Sequence, residues 1–296
     1  NTISLTDVNG GYLGGDLGVD MTGGTRGGGD SITIKNMKNG YVGGDAGQSL
    51  RDSAQGGVDN ITVSTAMTGG HLGGDAGDFM TDNAKGGNDT VSIANMKGGF
   101  AGGDAGGSMW GDSIGGVDTM KITTAMTSGY FGGDAGDSMW ERSIGGRDTF
   151  SVKSISGGYL GGDAGNSMYG HSKGGNDNIT ITTQSGGYVG GDAGNSMHCH
   201  SKGGNDTIRL SSMTGGYLGG DAGSALTCHA EGGDDQITIA TIRCHVGGSA
   251  GWSMSCHTKG GDDKINITNA TTSSDSLGGD AGRYRKAHSL GILRCV

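Results

Sequence analysis

Apolar residues recur along this chain on two periods at once. The short period is two: Ile32 and Ile34, Ile61 and Val63, Val91 and Ile93, Ile179 and Ile181, Ile237 and Ile239, and Ile265 and Ile267 alternate with polar residues. Alternation of β-branched residues predicts half-buried strands. The long period is 29 or 30 residues over most of the chain. It carries a ladder of Met37, Met67, Met96, Met126, Ile155, Met213 and Ile242, broken by Gln184. A second ladder is aromatic: Tyr12, Tyr41, His71, Phe100, Tyr130, Tyr159, Tyr188, Tyr217 and His245. Its neighbour is aliphatic, from Leu13, Val42 and Leu72 to Val246 and Leu277. Adjacent strand residues face opposite sides, so the aliphatic row is expected inside and the aromatic row outside or at a corner. A fourth row runs Met21, Leu50, Met80, Met109, Met139, Met168, Met197, Leu226 and Met254. A fixed period of this length marks a repeat architecture.

Each unit thus offers three short apolar segments separated by Gly-Gly corners. The fold that buries them is an all-β parallel β-solenoid of about ten coils. Like residues then stack ~4.8 Å apart in a rod roughly 50 Å long. The repeat covers residues 1–282; residues 283–296 break it, with Arg283, Arg285, Lys286 and Arg294 beside Leu290, Ile292 and Leu293. That segment is expected to be a basic C-terminal cap or tail.

Composition sharpens this reading. Glycine supplies 69 residues and proline none. Without a three-residue period or proline, collagen is excluded, and the strict apolar rows argue against Gly-rich disorder. A chain with no proline suits a ladder in which nearly every N–H donates to a neighbouring coil. So many glycines imply corners at positive φ or close backbone contacts. The net charge of −10 disfavours nucleic acid or an anionic membrane as partner and favours cations. No run of ~20 apolar residues predicts a membrane span. No signal peptide is visible and the first residue is not Met, as expected of a processed, secreted chain.

Two rows of aspartate are the strongest chemical feature. The first follows Gly-Gly: Asp16, Asp45, Asp75, Asp104, Asp134, Asp163, Asp192, Asp221 and Asp280, with Ser249 in the remaining place. The second follows Gly-Gly-X: Asp30, Asp59, Asp89, Asp118, Asp148, Asp177, Asp206, Asp235 and Asp263. Stacked carboxylates repel by ~1 kcal/mol per neighbour even in water. Either each carboxylate accepts N–H groups of its own turn, or cations sit between coils on aspartate and carbonyl oxygens, for which Ca2+ is the fitting ion.

The run Gly162–Ile179, Gly-Asp-Ala…Met…His-Ser-Lys-Gly-Gly-Asn-Asp-Asn-Ile, with copies at Gly74–Val91 and Gly191–Ile208, resembles the RTX, or haemolysin-type, calcium-binding repeats of secreted bacterial proteins. The resemblance extends over nearly the whole chain, to about residue 282. It implies a parallel β-roll, calcium held by turn aspartates and carbonyls, and export from the cell. It carries the ligand role to second-row acids such as Asp89, Asp177 and Asp206. This chain departs from the family's Gly-Gly-X-Gly-X-Asp turn, placing Ser167 or Ser196 where an aspartate would follow.

Cys199, Cys228 and Cys256 share one place in successive coils, each followed by His200, His229 or His257. Three readings stand: plain corner residues, disulfides between stacked neighbours, or a soft-metal row. Five cysteines are an odd number and leave the redox compartment open. Thr33, Thr62, Ser92, Thr180 and Thr238 form an outward hydroxyl row of ice-binding type, interrupted by Lys121, Arg209 and Asn266. Asn60-Ile-Thr, Asn178-Ile-Thr and Asn266-Ile-Thr are acceptor patterns for a surface glycan. Ser, His and Asp recur as scaffold, and no nucleophile–base arrangement stands apart from the repeat, so no enzymatic activity is expected. The expected function is that of an extracellular structural rod assembling with copies of itself into a fibre or cell-surface layer. The open ends of a solenoid, with their unpaired strand edges, favour that assembly. The alternative is a calcium-dependent adhesin or ice-binding module of a larger secreted protein.

Overall fold

The chain is a parallel β-solenoid, described by a computed structural model over residues 1–270, 276–279, 284–285 and 294–295. No helix occurs among the described residues. One parallel sheet runs the length of the rod, through strands such as Ser31–Gly43, Thr90–Gly102, Asn178–Gly190 and Thr207–Gly219. Register is kept coil to coil: Ile179 pairs with Ile208, Ile181 with Leu210, and Tyr188 with Tyr217. The short strands around the fourth apolar row form two further parallel sheets, Asp20–Met21 to Phe79–Met80 and Ser138–Met139 to Tyr284–Arg285. Met109 bridges the two, pairing with Met80 and with Met139.

The interior holds two apolar clusters. The larger combines the alternating strand residues with the Met37 and Val42 rows. The smaller combines the Met80 row with alanines that follow the first acids, Ala46, Ala76, Ala105, Ala135, Ala164, Ala193, Ala222 and Ala250. The aliphatic row is buried from Val42 to Val246, Leu277 at its end being exposed, and the aromatic row is half-exposed, as alternation requires. Gln184 stays in the Met37 row, fully buried, and its Nε2 donates to the Tyr217 carbonyl at 3.2 Å. Outside, the aromatic rings stack in a column: Tyr130–Tyr159 and Tyr159–Tyr188 both at 5.0 Å, Tyr188–Tyr217 at 5.1 Å.

Glycines fall into two groups. Thirteen of those described have positive φ. Most others leave no room for a Cβ: at Gly175 it would stand 1.3 Å from the Gly146 carbonyl oxygen. The run Val42 to Gly47 is buried throughout, so the chain passes through the interior there, with glycine at three of the six positions. The expected cap over 283–296 lies outside the described residues, except that Tyr284–Arg285 pairs with Ser253–Met254 and Arg294–Cys295 with Lys264–Ile265. Asp280 lies outside them as well.

Candidate metal centre

From Asp30 onward the described aspartates of both rows are interior residues, while Asp16 is exposed. Asp45, Asp75, Asp104, Asp134, Asp163, Asp192 and Asp221 are fully buried, and Asp59, Asp89, Asp118, Asp148, Asp177, Asp206 and Asp235 are at most 2% exposed. A sequence period does not reveal this, because turn aspartates are ordinarily surface residues.

Each row has its own hydrogen-bond pattern. A first-row acid accepts from an amide twelve residues on: Gly57 N–H donates to Asp45 Oδ2 at 2.7 Å, and Gly87 N–H to Asp75 Oδ2 at 2.7 Å. A second-row acid accepts from the acid of the preceding coil instead of from its own turn. Asp59 N–H donates to Asp89 Oδ1 at 2.7 Å, Asp89 N–H to Asp118 Oδ1 at 2.6 Å, and so on through Asp206 to Asp235.

These bonds use one oxygen of most carboxylates. Oδ2 of Asp59, Asp89, Asp118, Asp148, Asp177, Asp206 and Asp235 is buried and has no hydrogen-bond partner, nor does Oδ1 of Asp45, Asp75 or Asp104. Glycine provides the space they occupy. A Cβ on Gly44 would meet Asp59 Oδ2 at 2.0 Å, and one on Gly56 would meet Asp75 Oδ1 at 2.0 Å. Both Gly-Gly pairs of the repeat therefore cradle carboxylates.

The two rows converge. Asp45, Asp59 and Asp75 each bring an oxygen within 4.8 Å of the other two. The same triad recurs as Asp75, Asp89 and Asp104, then Asp104, Asp118 and Asp134, then Asp134, Asp148 and Asp163, and at the first coils as Asp16, Asp30 and Asp45. Each first-row acid inside the series serves two triads and each second-row acid one. Three buried carboxylates close together hold their protons tightly. Asp59 is pushed up to about 8, by burial first and by Asp45 second. Asp89, Asp104 and Asp118 are held well above the usual carboxylate range, again by burial and then by neighbouring aspartates. Such a triad must be neutralised, by protons or by a cation. The orphaned oxygens, the glycine cradles and the all-oxygen donor set fit a hard metal ion.

The cysteine–histidine row is a different arrangement. Cys199, Cys228 and Cys256 are exposed and not joined in disulfides, and they turn a corner in the left-handed region at φ 52, 53 and 61. His200, His229 and His257 follow at φ 68, 66 and 60. Their rings stack at 5.1 and 5.3 Å, with His171 joining at 5.3 Å. Among the described residues, the only trios of ligand atoms that converge are aspartates. The sheets leave Asn60, Asn178 and Asn266 exposed on the rod surface. No helix among the described residues is long and apolar enough to cross a membrane.

Comparison with protein-family models, curated proteins and solved structures returned no match.

Proposed function

We propose that this chain is an extracellular structural rod of RTX-like kind, stiffened by Ca2+ between its coils and associating with copies of itself into a fibre or surface layer. The observation that supports this is the row of interior carboxylate triads with unpartnered oxygens. A protein that kept such a row with no ion would carry its like charges, or their protons, through its whole length. With Ca2+ present, Asp45, Asp59 and Asp75 and their counterparts would hold it, and the ion would supply the missing positive charge between coils. No other chemistry stands out from the repeat, so the rod serves as scaffold rather than catalyst.

Association with copies draws on the surface. Ile114 and Ile144 are stacked neighbours and each is 38% exposed. Val58 and Val117 occupy equivalent corner positions and are 66% and 54% exposed. Lone apolar residues are common on surfaces, but the stacked pair Ile114–Ile144, between Lys85 and Lys173, is suited to lateral contact. Asn60, Asn178 and Asn266 are the candidate positions for a surface glycan.

The test is circular dichroism and thermal melting in EGTA and in CaCl2, with light scattering and negative-stain micrographs beside them. Higher melting in CaCl2, reversed by chelation, supports the ion-stiffened rod, and filaments or arrays support association. Identical melting in both media would remove calcium from the reading. Monomers at high protein concentration would remove assembly.

A further inference from the structure

The rod carries a concave feature on its outer surface, separate from the buried acid rows. The residue after each buried member of the fourth row points outward, and successive coils place Arg51, Thr81, Trp110, Trp140, Tyr169 and His198 there. The rings form a stack: Trp110–Trp140 at 5.0 Å and 8°, Trp140–Tyr169 at 4.0 Å and 12°, Tyr169–His198 at 4.9 Å and 8°. The stack ends at Trp110, because the coil before it presents Thr81. One indole face lies on Trp140; the other looks toward Thr81, and Trp110 is 40% exposed.

The adjoining corner makes the end of this stack a cleft. Its left-handed position is Asp82 in one coil (φ 56), Gly111 in the next (φ 69) and Glu141 in the third (φ 61). Gly111 leaves a gap one coil tall with a carboxylate on either side. Phe79 and Thr81 complete the lining of a cleft of about 440 Å3, and none of its six lining residues is basic. The nearest cation on the Glu141 side is already engaged, since Arg142 Nε and a terminal guanidinium nitrogen donate to Asp112 at 2.6 and 2.8 Å.

The same face shows what this combination of groups holds. The Arg51 guanidinium lies over the Phe79 ring, 5.9 Å from its centroid, and donates to Asp20 Oδ2 at 2.6 Å. An aromatic face with a carboxylate beside it thus already binds a guanidinium at the edge of this cleft, on Phe79. At Trp110 both parts are present and the cation is not.

We propose that Trp110, Asp82 and Glu141 form a binding site for a guanidinium group, presented by an arginine side chain of a partner peptide, with Phe79 and its bound Arg51 as the wall of the cleft. The planar cation stacks on the free indole face, where attraction to the ring is greatest for tryptophan. Its fork of N–H donors reaches the flanking carboxylates in a way a compact ammonium does not. The net charge of −10 draws basic segments toward the rod.

The experiment titrates acetylated, amidated Gly-Arg-Gly onto the full chain, following tryptophan fluorescence. The Gly-Lys-Gly and Gly-citrulline-Gly peptides serve as controls, citrulline being the neutral isostere. Saturable binding of the arginine peptide is expected, weaker binding of the lysine peptide, and none of the citrulline peptide. A double variant, Asp82→Asn with Glu141→Gln, weakens binding by about tenfold or more with melting unchanged. Gly111→Asn fills the gap and abolishes binding. Asparagine is tolerated at such a φ, as Asn83 at φ 62 shows, so this variant keeps the fold. Equal response to arginine and citrulline peptides, or unaltered affinity in both variants, would overturn the proposal.

Discussion

The Ser249 hydroxyl donates to Asp263 Oδ2 at 3.1 Å and accepts from the Gly261 amide at 3.2 Å. Every other described coil has an aspartate in the place of Ser249, and there the facing Oδ2 of the second-row acid mostly lacks a donor. Serine brings its own proton to this position; aspartate needs a proton or a cation. Ser249→Asp is therefore expected to destabilise the rod in EGTA at pH 7 by about 1–3 kcal/mol. In CaCl2 it should recover most of that loss. Calorimetry in the two media checks this, and an equal loss in both would count against cations in the acid rows.

The sharing of acids between triads sets the stoichiometry. Asp148 belongs to one triad and Asp134 to two. Asp148→Asn keeps the shape that accepts the Asp118 amide at 2.7 Å and should remove one bound ion. Asp134→Asn should weaken two. Native mass spectrometry in calcium-containing buffer counts them.

Acidity gives a sign that runs opposite to ordinary acid unfolding. Asp59 is raised to about 8, Asp192 to about 7 and Asp134 to about 6, in each case chiefly by burial. Unfolded aspartate titrates near ~3.9. The folded state thus binds protons more tightly, and this contribution to stability is complete below about pH 4 and lost as pH rises toward about 8. In EGTA the melting temperature should fall across that window. In CaCl2 it should hold or rise, because the ion takes the deprotonated form. A melting series from acid to mildly alkaline buffer reads both.

Close packing between coils predicts a steep cost for one methyl group. With a Cβ 1.3 Å from the Gly146 oxygen, Gly175→Ala forces backbone apart. The expected loss is about 3 kcal/mol or more, measured by urea unfolding. The φ of Gly175 is not in the left-handed region, so the loss reports space rather than conformation.

The ring column should show a position effect. Tyr159 stacks on two rings, at 5.0 Å on each side, while Tyr12 stacks only on Tyr41. Tyr159→Ala is expected to cost about 1–3 kcal/mol and Tyr12→Ala about half as much, again by urea unfolding.

The solenoid and its register could be read from the chain, because a stacked repeat turns each position into a row. Tyr159 over Tyr188 and Ile179 over Ile208 follow from spacing alone. The convergence of Asp45, Asp59 and Asp75 could not be read, since spacing along one row says nothing of how a coil folds across its own section. Gly44 and Gly56 were the available signal: paired glycines beside an acid mark places where a carboxylate needs the volume of a side chain. The alanine row from Ala46 onward was missed as core for a similar reason. A residue of that size carries little hydrophobic signal, and only the narrowness of the interior makes it fit.

The left-handed corner has a further consequence. It accepts Asp52, Asp82, Gly111, Glu141, Gly170, Cys199, Cys228 and Cys256 in turn without altering the coil. Acid, thiol or bare backbone can thus be mounted there at steps of ~4.8 Å, while the interior stays the same. Such a corner works as a graduated rail, on which the spacing of exposed groups is set by the backbone and their identity is free to vary.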